Sequence, residues 1–144
     1  MAVSPEKCVW KTKEVEFLGY VIGRNGISMA PDKADVVLSW ERPKTVTEVQ
    51  SFLSFANFYR RFIEDYSRVA RPLTELTKKS GKWVWNLEVE KEFEDLKKRF
   101  TTAPILAYFD PRRVMIIEMD ASDVAIGALL SHRDEEGKVH PVGL

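Results

Sequence analysis

Apolar positions in this 144-residue chain change period twice. The stretch Glu14-Val-Glu-Phe-Leu-Gly-Tyr-Val-Ile22 is dense in β-branched and aromatic residues and predicts a strand. Gly23-Arg-Asn-Gly26 then supplies residues tolerant of positive φ for a tight turn into Ile27-Ser-Met29, completing a β-hairpin. From Pro31 the spacing becomes helical. Pro31 and Asp32 suit a helix start, Val36, Val37 and Trp40 share one predicted face, and Pro43 ends the segment. Thr45 with Glu48 three residues later predicts a capping box, opening a helix whose stripe is Val46, Val49, Phe52, Leu53, Ala56, Tyr59 and Ile63. Asp65 or Ser67 can cap a third helix carrying Val69, Leu73 and Leu76, with Pro72 placed near its first turn and Gly81 closing it. After the extended link Trp83-Val-Trp85, Asn86 caps a fourth helix with Glu88 and Glu90 early, Lys97, Lys98 and Arg99 late, and a stripe of Val89, Phe93, Leu96 and Phe100.

Pro104 and Pro111 bracket a connector, after which the period returns to two. Residues 114–120 and 124–130 predict strands joined by a turn at Ala121 to Asp123, and a third strand around Val139 to Val142 lies on the open edge of the sheet. The order of hairpin, four helices and sheet predicts an α+β fold. The chain stops in mid-sheet, so a following element is expected.

Composition narrows the class. Hydrophobic residues make up 44% and charged residues 31%, a globular balance, and the 22 basic and 22 acidic side chains cancel. The cancellation is uneven. Residues 1–63 hold nine basic and seven acidic groups, 64–113 eleven and nine, and 114–144 two and six, so polyanion contact is expected on the first two parts. A single cysteine, Cys8, excludes an internal disulfide, and with only His132 and His140 beside it there is no zinc-binding cluster; a solvated loop is the expected setting of both histidines. No apolar run approaches the roughly 18 residues of a membrane span, and the N-terminus lacks a signal-peptide core, so no membrane partner and an intracellular location, cytoplasmic or nuclear, are expected.

Five motifs in one order resemble the polymerase polyprotein of gypsy/Ty3-like long-terminal-repeat retrotransposons, from reverse transcriptase into ribonuclease H. They are Phe17-Leu-Gly-Tyr20, Ser51-Phe-Leu-Ser-Phe-Ala-Asn-Phe-Tyr-Arg-Arg-Phe-Ile63, Ala70-Arg-Pro-Leu73, Ala103-Pro-Ile-Leu106, and Asp120-Ala-Ser-Asp with Ala125-Ile-Gly-Ala-Leu-Leu130. The resemblance implies a palm-end hairpin over 1–30, a thumb-like helical segment over 31–103 and the N-terminal part of a ribonuclease H-like domain over 104–144.

The resemblance also implies roles. Phe17, Leu18, Gly19 and Tyr20 match the primer grip, where a glycine permits close backbone approach and aromatics pack on a sugar or base. Gln50, Ser54 and Phe58 form a helical stripe apart from the apolar one. They match the thumb's minor-groove track, with Asn57 alongside and Arg60 and Arg61 reaching phosphates. Ser54 stands where the family usually has glycine. Asp120 matches the first ribonuclease H carboxylate, although Met119 replaces the usual threonine and Asp123 is not a catalytic position in the family. Two basic clusters, Lys78-Lys79-Lys82 and Lys97-Lys98-Arg99, can neutralise phosphate, the second more simply complementing a helix C-terminus.

Polymerisation needs paired carboxylates on two metal ions, and no adjacent aspartates occur in this chain. Mg²⁺ is therefore a cofactor of the parent enzyme, with none expected in this chain unless downstream residues complete the site at Asp120. The expected function is that of a reverse transcriptase fragment, inactive alone, whose partner is an RNA–DNA hybrid or other double-stranded nucleic acid. The alternative is a domesticated protein-interaction module, with the rest of the polyprotein or another chain pairing at the open sheet edge.

Overall fold

Two antiparallel three-stranded sheets flank a helical core in the computed structural model, which describes residues 8, 10–79, 83–121 and 126–144. The first sheet is a meander of β1 (Val15–Phe17), β2 (Tyr20–Gly23) and β3 (Gly26–Met29). The strand expected over 14–22 is thus two strands. Phe17 pairs with Tyr20, and the two residues between them turn the chain with φ of 52° at Leu18 and 78° at Gly19. Positive φ at both central positions is the turn whose twist matches that of its flanking strands. At the next turn only Gly26, with φ of 140°, uses glycine's freedom; Gly23 does not.

Helix α1 (Pro31–Leu38) buries Val37 and leaves Val36 44% exposed. Neighbours on a helix point about 100° apart, so an eight-residue helix that aims Val37 at the core turns Val36 away. Trp40, past its end, packs edge-on against Phe52. Helix α2 (Val46–Phe58) starts as the sequence predicts, with Thr45 Oγ1 accepting from Glu48 N at 3.2 Å. Glu48 returns to the N–H of Lys44, not of Thr45. The helix ends before Tyr59, where the chain tightens into a 3₁₀ turn (Arg60–Phe62); Tyr59 and Ile63 stay buried from outside the helix, and Val46 sits at its exposed edge.

Helix α3 (Tyr66–Leu76) buries Val69, Leu73 and Leu76 as expected, but its entry differs. Asp65 takes a left-handed φ of 55°, and its carboxylate pairs with Arg68 at 3.2 Å instead of capping the helix. Pro72 is the seventh helical residue, beyond the first turn where a missing N–H is free of cost. Gly81 and Lys82 lie outside the described residues. Helix α4 (Leu87–Thr101) is capped by Asn86 Oδ1, which accepts from Val89 N at 2.9 Å.

The core lies where α2, α3 and α4 meet. Phe52, Leu73, Phe93, Leu96 and Phe100 are at most 2% exposed, and the Phe52 and Phe93 rings lie 4.8 Å apart. Each such side chain contributes roughly 1.5–3 kcal/mol by burial. Lys97 is drawn into this packing: its Nζ donates to the Trp40 carbonyl at 3.0 Å and lies over the Phe93 ring.

The second sheet has the order β4 (Met115–Ala121), β5 (Ile126–Arg133), β6 (Val139–Gly143), with β6 on an edge as expected. Asp123 and the first residues of the strand expected from Val124 lie outside the described residues. The connector holds the two sheets together. Leu106 exchanges two 2.8 Å backbone hydrogen bonds with Ile27 of β3, Ala107 N donates to Pro141 of β6, and the Tyr108 hydroxyl donates to the Gly23 carbonyl at 2.6 Å. A side chain on Gly26 would strike the Leu106 carbonyl, so this pairing requires glycine there.

Candidate nucleic-acid interface

The tip of the first hairpin and the C-terminal half of α2 form one surface. Phe17 and Leu18 are 59% and 68% exposed, an unusual display of apolar area for a two-residue turn. Leucine is also a costly choice at positive φ, because its Cβ crowds the backbone. Beneath the tip, Gly19 is enclosed: the Tyr59 hydroxyl occupies the space a side chain would need, and the Lys33 stem lies 3.4 Å from that position. The Gly19 carbonyl accepts from Ala30 N at 2.9 Å and from the Tyr59 hydroxyl at 3.5 Å.

Tyr20 turns inward from the tip and joins it to α2. Its ring stacks on Phe58 with centroids 5.4 Å apart, meets Tyr59 edge-on, and its hydroxyl donates to the Phe58 carbonyl at 3.3 Å. Burial raises the Tyr20 pKa, and the charge of Arg61 works against that rise. Burial likewise raises that of Tyr59, opposed by Lys33, whose ammonium is paired with Asp32 at 2.7 Å. Both phenols therefore stay neutral hydrogen-bond donors at physiological pH.

From this joint the expected polar stripe runs along α2. Gln50, Ser54 and Asn57 are exposed, and Phe58 is half exposed while its ring supports Tyr20. Arg60 and Arg61, neighbours in sequence, diverge. Arg61 lies over the Phe62 ring on the side of Tyr20. Arg60 lines a cleft of about 310 Å³ between the start of α3 and the β4–β5 ladder.

Asp120 lies on the opposite wall of that cleft, exposed on β4 and paired in register with Gly127. Asp65, Tyr66, Ser67 and Arg68 complete the polar lining. Asp120 is thus apart from the hairpin tip, across this cleft from Arg60. Among the described residues no three or more His, Cys, Asp or Glu come together to hold a metal ion, and Mg²⁺ requires several oxygen ligands. The residues present do not fit that ion by themselves.

Within the two basic clusters, some of the described members are held in local pairs. Lys78 bonds Glu75 at 2.6 Å, and Arg99 bonds Asp95 and the Glu64 carbonyl, both at 2.8 Å. The helical period places Tyr59 in the core stripe, and no motif marks Lys33. Both flank Gly19 from far along the chain, and no local pattern announces such a contact. Among the described residues, no helix is long and apolar enough to cross a membrane.

Comparison with known proteins adds to this geometry. Residues 85–144 match the family described as the RNase H-like domain found in reverse transcriptase. The chain is 35% identical over 143 residues to the Transposon Tf2-3 polyprotein of Schizosaccharomyces pombe, covering 99% of this chain and 11% of that protein, and the Tf2-4 polyprotein matches equally. It therefore spans about a ninth of the length of these relatives. Among solved structures, the foamy viral protease-reverse transcriptase in complex with RNA/DNA hybrid superposes with a TM-score of 0.73 at 25% identity, over 91% of this chain and 18% of that one. The same viral protein in complex with dsDNA gives 0.73 over 92% of this chain and 28% of that one.

Proposed function

Because this chain belongs with the gypsy/Ty3-like retrotransposon polymerase polyproteins, we propose that its hairpin tip and α2 together grip the template–primer duplex of a reverse transcriptase, an RNA–DNA hybrid. The observation that carries the reading is the Tyr20–Phe58 stack, which makes one surface of Phe17, Leu18, Gly19 and Tyr20 with Gln50, Ser54, Asn57 and Phe58. Exposed apolar and aromatic groups at the tip suit a sugar or base, and the polar stripe suits the wide minor groove of a hybrid. Arg61 and Arg60 add phosphate contacts on either side of the joint. The viral structures of similar fold are complexes with dsDNA and with RNA/DNA hybrid, which supports this partner.

In this reading residues 1–30 are the end of the palm and 31–103 the thumb. Residues 104–144 begin the ribonuclease H-like domain, in which Asp120 is one member of an incomplete metal site. Helix α4 is kept with the thumb because its core stripe packs with α2 and α3, although the family match reaches back to residue 85. The chain alone binds without synthesising or cleaving.

The test is binding of the purified chain to a labelled RNA–DNA hybrid across a salt series. Affinity is expected to fall linearly with log salt, with Arg61→Glu reducing the slope by about one. Gln50→Ala is expected to weaken binding by about 1 kcal/mol without changing the slope. Absence of binding at low salt overturns the proposal.

A further inference from the structure

Lys33 belongs neither to the core nor to the polar stripe of α2, yet the fold sets it against the hairpin tip. It is the third residue of α1, which starts beside the tip because Ala30 N donates to the Gly19 carbonyl at 2.9 Å. Its Cε lies 3.4 Å from where a Cβ on Gly19 would stand, so the bare glycine leaves the space beside which the lysine stem runs. At the end of that stem Nζ donates to Asp32 Oδ2 at 2.7 Å, with 34% of the lysine side chain and 57% of the aspartate side chain exposed. The hydrogen bond to Asp32 raises the Lys33 pKa, so the ammonium is charged at physiological pH. Glu16 of β1 adds a second negative charge on this side of the tip.

We propose that Lys33 is a phosphate contact of the hairpin tip: when Phe17 and Leu18 pack on a sugar of the duplex, the Lys33 ammonium exchanges Asp32 for the phosphate adjoining that sugar. The proposal rests on duplex binding by the tip and α2. Every sugar in a strand adjoins a phosphate, and the ammonium is a compact charge with three donors on a flexible stem, able to follow it. The pair it leaves is a weak one, since both partners are partly solvated neighbours in sequence. A phosphate offers a full charge and several acceptor oxygens in exchange, and its arrival releases a counterion. Asp32 and Glu16 make the exchange necessary, because without the lysine this side of the tip would present only carboxylates to the backbone. Asp32 therefore competes with the duplex for the ammonium, and its charge opposes binding.

The experiment measures binding of the full chain to a labelled RNA–DNA hybrid across a salt series, with Tm recorded for each variant. Lys33→Met keeps an unbranched stem beside Gly19 and removes the charge. It is expected to lower affinity at low salt about fivefold or more and to reduce the slope of log affinity on log salt by about 0.9, at an unchanged Tm. Lys33→Arg is expected to keep the parent slope. Asp32→Asn, which releases the ammonium, is expected to strengthen binding about twofold or more. A lysine that only props the tip predicts instead full binding in Lys33→Met and no gain in Asp32→Asn. An unchanged salt slope in Lys33→Met, or affinity unchanged or weakened in Asp32→Asn, overturns this proposal and leaves duplex binding by the tip and α2 standing. A parent chain that does not bind the hybrid at low salt overturns both.

Discussion

The Tyr20 ring lies nearly parallel to that of Phe58, 20° from coplanar, although 38 residues separate them. That contact converts a short hairpin and the end of a helix into one rigid surface, because the Tyr20 hydroxyl also bonds the Phe58 carbonyl. In a double-mutant cycle of Tyr20→Leu and Phe58→Leu, measured by urea denaturation, the rings are expected to couple by about 0.5–1.5 kcal/mol. Additive effects would mean that the two elements are held by something else.

Leu18 sits at φ of 52° with its side chain largely in solvent, so the turn carries strain that no packing offsets. Asparagine accepts that conformation more readily. Leu18→Asn is expected to stabilise the chain by up to about 1 kcal/mol and at the same time to weaken hybrid binding. A rise in both stability and affinity would separate the strained leucine from duplex binding.

Gly19→Ala meets two obstacles, φ of 78° and the Tyr59 hydroxyl. A loss of about 2 kcal/mol or more in denaturant unfolding is expected. Adding Tyr59→Phe is expected to recover only the steric part. Complete recovery would show that the backbone conformation costs nothing there.

Pro72 interrupts the second turn of α3, removing the N–H that would meet the Arg68 carbonyl. Pro72→Ala is expected to raise stability, by up to about 3 kcal/mol, read as a shift of the urea midpoint at unchanged slope. An unchanged midpoint would mean that the local structure already compensates for the proline.

Several carboxylates, Asp32, Asp110 and Asp134, have depressed pKa values and contribute to the acid limb. The Arg112 guanidinium and backbone N–H hold Asp110 well below the usual carboxylate range, and hydrogen bonds from His140 and the Lys138 N–H lower Asp134. A depressed folded pKa stabilises above the unfolded value of about 3.9 and loses that contribution as pH falls through the folded one. Asp110→Asn is therefore expected to cost stability at pH 6, with the difference from the parent shrinking below about pH 4. Tyr66, with Tyr20 and Tyr59, contributes to the opposite limb. Burial pushes Tyr66 up to about 12, so its contribution is complete below about pH 10 and lost as pH rises through the folded value. Absorbance at alkaline pH is expected to lose its last tyrosine step in Tyr66→Phe.

Local features of this fold were legible in the sequence because their causes lie within one or two turns of chain. The Thr45–Glu48 and Asn86–Val89 caps are three-residue relations, and the stripes of α2, α3 and α4 are periodicities that hold wherever the helix packs. The candidate surface residues Gln50, Ser54 and Asn57 follow from the same periodicity, as the positions the core does not take. The break at Leu18 and Gly19 did not show, since leucine disfavours the turn and the contacts that hold it come from Ala30 and Tyr59.

Sequence by itself determined the order of elements, the core stripes and the ends of most helices, all consequences of short-range hydrogen bonding and spacing. Tertiary structure alone decided that Arg60 and Arg61 part company, that Leu106 ties the first sheet to the second, and that His132 meets His140. Each of these depends on a register or a turn angle set by packing between segments distant in the chain, where a shift of one residue would move every side chain to the opposite face.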